Sequence, residues 1–425
     1  MTSIIKAIRG MNDVLPDQSD RWQAVESILK RVVHSYAYHE IRFPVLEQTA
    51  LFKRCIGDVT DIIEKEMYSF QDRNGDELSL RPEGTACCVR AALEHGLLYH
   101  QTQRLWYMGA FYRHERPQKG RYRQFHQLGI ESFGVPSPDM DAEVIALSSD
   151  IFNAFGLGDV LKLHVNSIGT VKARQAYRSA LVDYFTPYHA ELDADSVRRL
   201  KTNPLRLLDS KDPAIQPLIH RAPKLLDFLE EHSQQHFDYV LSYLEAFGIS
   251  YTVDPYIVRG LDYYNDTVFE WVADDGLGAQ STVCAGGRYD ALVSQLGGSS
   301  TPAFGFGLGI ERLLLLLEAQ EFFQQPVSTA DVYIIVAMDK ARIEAGVLAN
   351  TLRRSLPHVR IALHCGEGSL KSQFKKADKS HARFALVLGE EELQHHKITL
   401  KYLRESVEQR CVRLDELVSI LKDYF

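Results

Sequence analysis

Long apolar runs are missing from this 425-residue chain. The longest aliphatic stretch is LLLLL at 313–317, far short of the ~20 residues that a membrane-crossing helix needs. Cysteine is scarce: six residues, at 55, 87, 88, 284, 365 and 411, with no C-x-x-C pair. Adjacent Cys87 and Cys88 rarely bridge, so reduced thiols in a cytosolic protein are expected. There is no H-E-x-x-H and no His/Cys spacing that suggests a protein-held metal. The opening MTSIIKAIRGMNDVLP contains no long apolar segment and no small-residue cleavage site, so no secretory signal is expected. Positive charge is not in excess either, with 48 Lys+Arg against 56 Asp+Glu and a formal net charge of −8. Such a balance argues against indiscriminate coating of nucleic acid but permits a local basic patch. With 45% apolar and 24% charged residues the chain is neither disordered nor fibrous, and its length predicts two or three domains.

What is present is ordered by period. Trp22, Val25, Leu29, Val32, Val33 and Tyr36 fall at helical spacing within 18–36 and predict an amphipathic helix. EIRFPVLE (40–47) reads as a strand that Pro44 confines to an edge or an interface. ELSLRP (77–82), QRLWYMGAFYR (103–113) and RQFHQLGIESFG (123–134) are further strands, the last two forming a long antiparallel hairpin. Residues from about 171 to 250 turn helical and read as an insertion, with Gly248 suited to a C-terminal cap. Strand signals resume at YIVRGLDYYNDTVFEWV (256–272) and VCAGGRYD (283–290), followed by a Gly-rich strand running into a helix, FGFGLGIERLLLLLEA (304–319). The resulting expectation is a catalytic-type domain over 1–325, a linker at 326–330, and a small α/β domain over 331–425. GFGLG lacks both the spacing and the βαβ setting of a dinucleotide fingerprint.

Within an acidic chain, FYRHERPQKGRYRQFHQ (111–127) is a cationic loop framed by aromatic strands. FYRHE with this loop and RQFHQ resembles motif 2 of the class II aminoacyl-tRNA synthetases, GFGLGIERL their motif 3, and the Pro44 strand their motif 1. RGMNDVLP, LRPEGT, RGLDYYNDTVFE and CAGGRYD narrow the resemblance to the histidyl-tRNA synthetase family, and it extends over essentially the full chain. The implied fold is α+β: a class II antiparallel-sheet catalytic domain with a helical insertion, and a C-terminal α/β anticodon-binding domain. The implied activity is activation of L-histidine by ATP, with magnesium as part of the co-substrate, and transfer to the tRNA by a cytoplasmic homodimer.

Attack of a carboxylate on the α-phosphorus of ATP brings two anions together, so positioning and positive charge matter more than a protein nucleophile. A lone arginine at a strand end is most often a solvated surface charge; the joint pattern is what raises these above that. By the resemblance, Arg113 binds the α-phosphate, Arg312 the γ-phosphate, and Arg259 adds a cation near the α-phosphate. Glu115 and Phe125 frame the adenine and Arg121 contacts the outer phosphates. An imidazole offers one donor and one acceptor, which Glu131 and Tyr264, beside Tyr263, would answer. Gln127 and Glu131 share one face of their strand, and Gln127, Glu83 and Thr85, with Gly84 between the last two, would receive the α-amino group. Gly286 and Gly287 are expected to let the backbone approach the histidine closely. Arg116, Gln118 and Lys119 at the loop tip, and Lys371 and Lys375 one helical turn apart, are candidates for tRNA contact. Two alternatives remain open at this level: a synthetase-like histidine-sensing regulatory subunit of histidine biosynthesis, and a synthetase-like RNA-binding sensor without activation chemistry.

Overall fold

The computed structural model describes residues 4–56, 62–208, 210, 212, 214–257, 263–274, 277, 281–323 and 328–425. The chain divides into two compact units, Met1–Phe322 and Phe323–Phe425.

In the first unit, helix α1 (Pro16–Ser35) starts on a proline, whose missing N–H costs nothing at a helix start, and buries Val25, Leu29 and Val33. Pro44 splits the strand expected at 40–47 in two. Strand β1 (His39–Glu40) joins the main sheet, whereas β2 (Leu46–Gln48) pairs with a separate three-stranded sheet completed by β3 (Ser69–Gln71) and β4 (Glu77–Leu80). Helix α2 (Thr49–Ile56) packs on this small sheet, and α3 (Thr85–Glu94) packs on α2 and on the strand Gln124–Phe133. The hairpin β5 (Gln103–Tyr112) and β6 (Gln124–Phe133) pairs without interruption from Gln103↔Phe133 to Tyr112↔Gln124.

Helix α4 (Pro138–Ala154) follows and packs against β10 and β11, defined below. It leads to β7 (Leu161–Ser167). The helical stretch contains α5 (Val171–Phe185), α6 (Ala194–Thr202), α7 (Gln216–Arg221) and α8 (Glu231–Ala246). The chain then returns through β8 (Tyr251–Val253), β9 (Asn265–Ala273), β10 (Thr282–Arg288), α9 (Leu292–Gln295), β11 (Ala303–Gly309) and α10 (Ile310–Ala319). The strand expected from 256 thus begins, among the described residues, only at Asn265.

The main sheet has the order β1-β5-β6-β11-β10-β9-β7-β8, antiparallel at every pairing except the two outermost. One buried cluster runs from α2 and α3 through Tyr263, Tyr264 and Tyr289 to Tyr177, Phe185 and Ile219 of the helical stretch, so the insertion shares the core beneath the sheet.

The second unit is a five-stranded sheet, β13-β12-β14-β15-β16, built from β12 (Val332–Val336), β13 (Ile361–Leu363), β14 (Phe384–Leu388), β15 (Lys397–Tyr402) and β16 (Arg410–Arg413). Helices α11 (Arg342–Ser355), α12 (Leu370–Lys379), α13 (Glu390–His395) and α14 (Leu414–Lys422) complete it around Val332, Ile334, Leu352, Phe384 and Leu417. Ser369 caps α12, and Gln373 and Ala377 face inward, which leaves Lys371 and Lys375 exposed. Among the described residues, no helix is long and apolar enough to cross a membrane.

Candidate active site

The hairpin β5–β6 and strands β10 and β11 line a cavity of about 300 Å³ together with the 83–85 loop and Tyr263–Tyr264. Glu131, 1% exposed, does not itself line the cavity but lies directly behind two lining residues, Thr85 and Tyr107. The pleat of β6 turns Glu131 and Gln127 to one face, and β11 makes room, since a Cβ on Gly305 would come within 2.2 Å of the Glu131 carboxylate. Three hydroxyls donate to that carboxylate: Thr85 at 2.8 Å, Tyr107 at 2.9 Å, and Tyr289. Burial nevertheless dominates and pushes the Glu131 carboxyl up to about 8, with nearby Glu83 adding to the rise and the three hydroxyls opposing it.

Glu83 is 4% exposed and accepts the amide N–H groups of Thr85 (2.7 Å) and Ala86 (2.9 Å). It therefore satisfies the first free donors of α3 and sits at the positive end of that helix. Burial raises its carboxyl, against these amides and the Arg113 cation. Tyr107 is wedged between two glycines: a Cβ on Gly84 would lie 2.2 Å from its ring and one on Gly129 2.1 Å. Tyr263 and Tyr264 close the other wall, their rings 4.7 Å apart and in edge contact with Tyr289.

The opposite end is cationic. Arg113, just past β5, donates from Nε to the Pro82 carbonyl (2.9 Å) and stands 5.3 Å over the Phe125 ring. Arg312, in the first turn of α10, donates to the carbonyls of Gly120 (2.9 Å) and Thr282 (2.6 Å). Burial lowers the pKa of both guanidiniums; Arg312 is lowered further by the like charges of Arg113 and Arg121, against Glu270 and Glu311. Cations crowded until they disfavour one another form a receptor for a polyanion.

The loop between the strands is tied down at both ends. The Gly10 carbonyl accepts the amides of Arg123 (2.7 Å) and Gln124 (3.1 Å), and Gly10 adopts φ +86° with no room for a Cβ beside Pro117. Arg121 pairs with Glu115 and lies 3.5 Å from Glu66. At the tip, Arg116, Gln118 and Lys119 are exposed. The cavity thus brings together Glu83, Gly84, Thr85, Arg113, Glu115, Arg121, Phe125, Gln127, Tyr263, Tyr264 and Arg312, with Glu131 beneath them.

The glycine pair of CAGGRYD behaves differently from expectation. Gly286 and Gly287 do not line the cavity. They lie within β10, where a Cβ on Gly286 would come 2.2 Å from the Gly305 carbonyl and one on Gly287 2.6 Å from that of Thr267. Their smallness serves strand-to-strand approach. Arg259 lies outside the described residues, and Lys371 and Lys375 belong to the second unit. Tyr107 and Tyr289 went unrecognised in the sequence. Tyr289 stands inside the quoted CAGGRYD, and Tyr107 faces a glycine across the hairpin (Tyr107↔Gly129), a small partner that signals a ring lying across the strand. No group of three His, Cys, Asp or Glu among the described residues is placed to hold a metal ion.

A predominantly antiparallel sheet carrying half-buried arginines in a cavity backed by a buried carboxylate, with an α/β unit following in the chain, has the architecture of a class II aminoacyl-tRNA synthetase. The family model described as Histidyl-tRNA synthetase matches residues 10–313, and one described as Anticodon binding domain matches 331–424. The chain belongs to the histidyl-tRNA synthetase family. Among solved structures, apo histidyl-tRNA synthetase of S. aureus is 38% identical, covers 99% of this chain and 100% of its own, and superposes with a TM-score of 0.82. Histidyl-tRNA synthetase of a Nostoc species shares the fold at 20% identity over 99% of this chain and 100% of its own, TM-score 0.72. A Bacillus halodurans protein described as an ATP phosphoribosyltransferase regulatory subunit/histidyl-tRNA synthetase shares it at 22% identity, over 92% of this chain and 100% of its own, TM-score 0.65.

Proposed function

We propose that this chain is a histidine–tRNA ligase: it activates L-histidine with ATP to histidyl-adenylate and pyrophosphate, then transfers histidine to the 3′ end of its tRNA. The observation that carries this reading is one cavity with mutually repelling arginines at one end and, behind its Thr85 and Tyr107 wall at the other, a hydroxyl-ringed carboxylate. The anticodon-binding unit at 331–424 favours it over a histidine-sensing regulator.

In the first step a histidine carboxylate oxygen bonds to the α-phosphorus, and the bond from that phosphorus to the pyrophosphate oxygen breaks. Arg113 grips the α-phosphate and Arg312 the γ-phosphate, each guanidinium exchanging backbone carbonyls for phosphate oxygens. Arg259 adds charge at the α-phosphate. The adenine lies against Phe125 with its exocyclic amine donating to Glu115, which requires Arg121 to leave Glu115 for the outer phosphates. Glu131 accepts from the imidazole N–H, while Tyr264 donates to the other ring nitrogen and Tyr263 packs behind it. Glu83, Gln127 and Thr85, with the Gly84 backbone, hold the α-amino group. ATP enters as its magnesium complex, the co-substrate.

In the second step a terminal ribose hydroxyl attacks the adenylate carbonyl and AMP leaves. Arg116, Gln118 and Lys119 engage the acceptor end, and Lys371 and Lys375 the anticodon stem-loop, mainly through phosphates. The active species is a cytoplasmic homodimer; exposed Val45 and Leu46 next to Pro44 suit a chain–chain contact.

Pyrophosphate exchange into ATP, measured with each amino acid in turn, tests the reading. Exchange with histidine alone is expected, and its absence while histidine still binds would reject the ligase in favour of a sensor. Arg259→Ala is expected to reduce exchange at least about 100-fold while histidine binding persists; near-normal exchange in that variant would remove Arg259 from the mechanism.

A further inference from the structure

Tyr289, one of the three hydroxyl donors to Glu131, lies behind the cavity wall, as do its neighbours Arg288 and Asp290. Both are held in polar chains that begin on the same helix, α8, one turn apart. In the first chain, His236 of α8 meets the Asp141 carboxylate at 2.9 Å, and Asp141 in turn receives the Arg288 guanidinium through Nε at 3.3 Å and through Nη2. Asp141 is fully buried, Arg288 is 2% exposed and His236 9%. In the second chain, Ser233 Oγ donates to Asp266 at 2.6 Å, Asn265 Nδ2 bridges Asp266 (2.9 Å) and Asp290 (3.2 Å), and the Asn265 amide oxygen accepts the Asp290 N–H at 2.8 Å. The chains close on each other where Arg288 Nη1 donates to Asp290 at 3.1 Å.

These contacts do more than fill space. Asp141 and Arg288 are buried charges that tolerate no slack, because an unmatched buried ion is far costlier than a strained one. The residue between the two anchors therefore inherits their position. Asn265 also adjoins Tyr264, whose ring is in edge contact with Tyr289, so α8 reaches this second tyrosine from one side.

We infer that α8 is a positioning element for histidine recognition, acting through Ser233 and His236 on Tyr289 and Tyr264. The inference rests on the histidine site proposed above and extends it to residues that touch neither substrate. Loss of one of these hydrogen bonds shifts a hydroxyl away from Glu131, weakening histidine while leaving the ATP end, anchored on Pro82, Gly120 and Thr282, unaffected.

The test is pyrophosphate exchange with Ser233→Ala, His236→Leu and His236→Gln. Ser233→Ala and His236→Leu should each raise KM for histidine about 5- to 10-fold with KM for ATP unchanged. His236→Gln, whose carboxamide reaches Asp141 with an N–H donor, should return to near wild type. An unshifted histidine KM in both disrupting variants, an equal rise in both KM values, or a Gln variant as impaired as Leu would each overturn the inference. Equilibrium binding of histidine alone to wild type and His236→Leu separates this result from the activity. If the wild-type chain bound histidine but showed no exchange, the ligase reading would fall, and the affinity ratio would still decide the role of α8.

Discussion

Glu131 is a carboxyl whose burial outweighs three hydroxyl donors, and that imbalance makes a pH-dependent prediction at the residue scale. Its folded-state pKa, about 8, lies above its unfolded value. Between the ordinary carboxylate range and that value the unfolded chain has released a proton that the folded chain retains. The contribution of Glu131 to stability therefore falls as pH rises through this window and levels off above it. Glu131→Gln removes the slope: urea midpoints at about pH 5 and about pH 9 should differ less in the variant than in wild type. Histidine affinity should drop by about 10- to 100-fold in the same variant, because an amide NH2 group then stands where an oxygen accepts from the surrounding hydroxyls and the imidazole N–H. Parallel pH slopes in the two proteins would place the unusual proton elsewhere.

At the scale of elements, the β5–β6 hairpin was the most legible part of the fold. Its alternation and the basic loop between its strands already placed Gln127 and Glu131 on one face, and the register from Gln103↔Phe133 to Tyr112↔Gln124 runs without a bulge. What stayed hidden depended on contacts between strands distant in sequence. Gly286 and Gly287 read as places where the backbone comes close to a ligand, and the space beside them holds the backbones of β11 and β9. The aim of Tyr289 is set by residues from α4, α8 and β9, which no local pattern reveals. Pro44 was readable as a strand problem, but not that it would send β1 and β2 to different sheets. Gly129→Ala tests the hairpin's fit. The new methyl would press on Tyr107, whose other side is closed by Gly84, so the ring has no escape. A loss of about 1–3 kcal/mol in urea-measured stability and a weaker histidine affinity are expected; unchanged binding would show that Tyr107 is dispensable.

At the scale of the whole molecule, two units with separate cores divide the work. A chain ending at 323 should fold on the first core and retain histidine-dependent pyrophosphate exchange near the full-length rate. Its charging of tRNA should fall by about 100- to 10,000-fold, since two-site engagement becomes one-site. Charging at the full-length rate would detach the second unit from tRNA recognition. The net charge of −8 fits this division, because each polyanion meets a local cationic surface rather than a basic protein. The carbonyls of Pro82, Gly120 and Thr282 that hold Arg113 and Arg312 have a bearing on turnover. On the proposed ATP site they would give each guanidinium somewhere to return when pyrophosphate departs, so product release would leave no unpartnered cation. A neutral carbonyl binds more weakly than phosphate, so the same exchange that would favour ATP entry would also keep the exit step from becoming a trap.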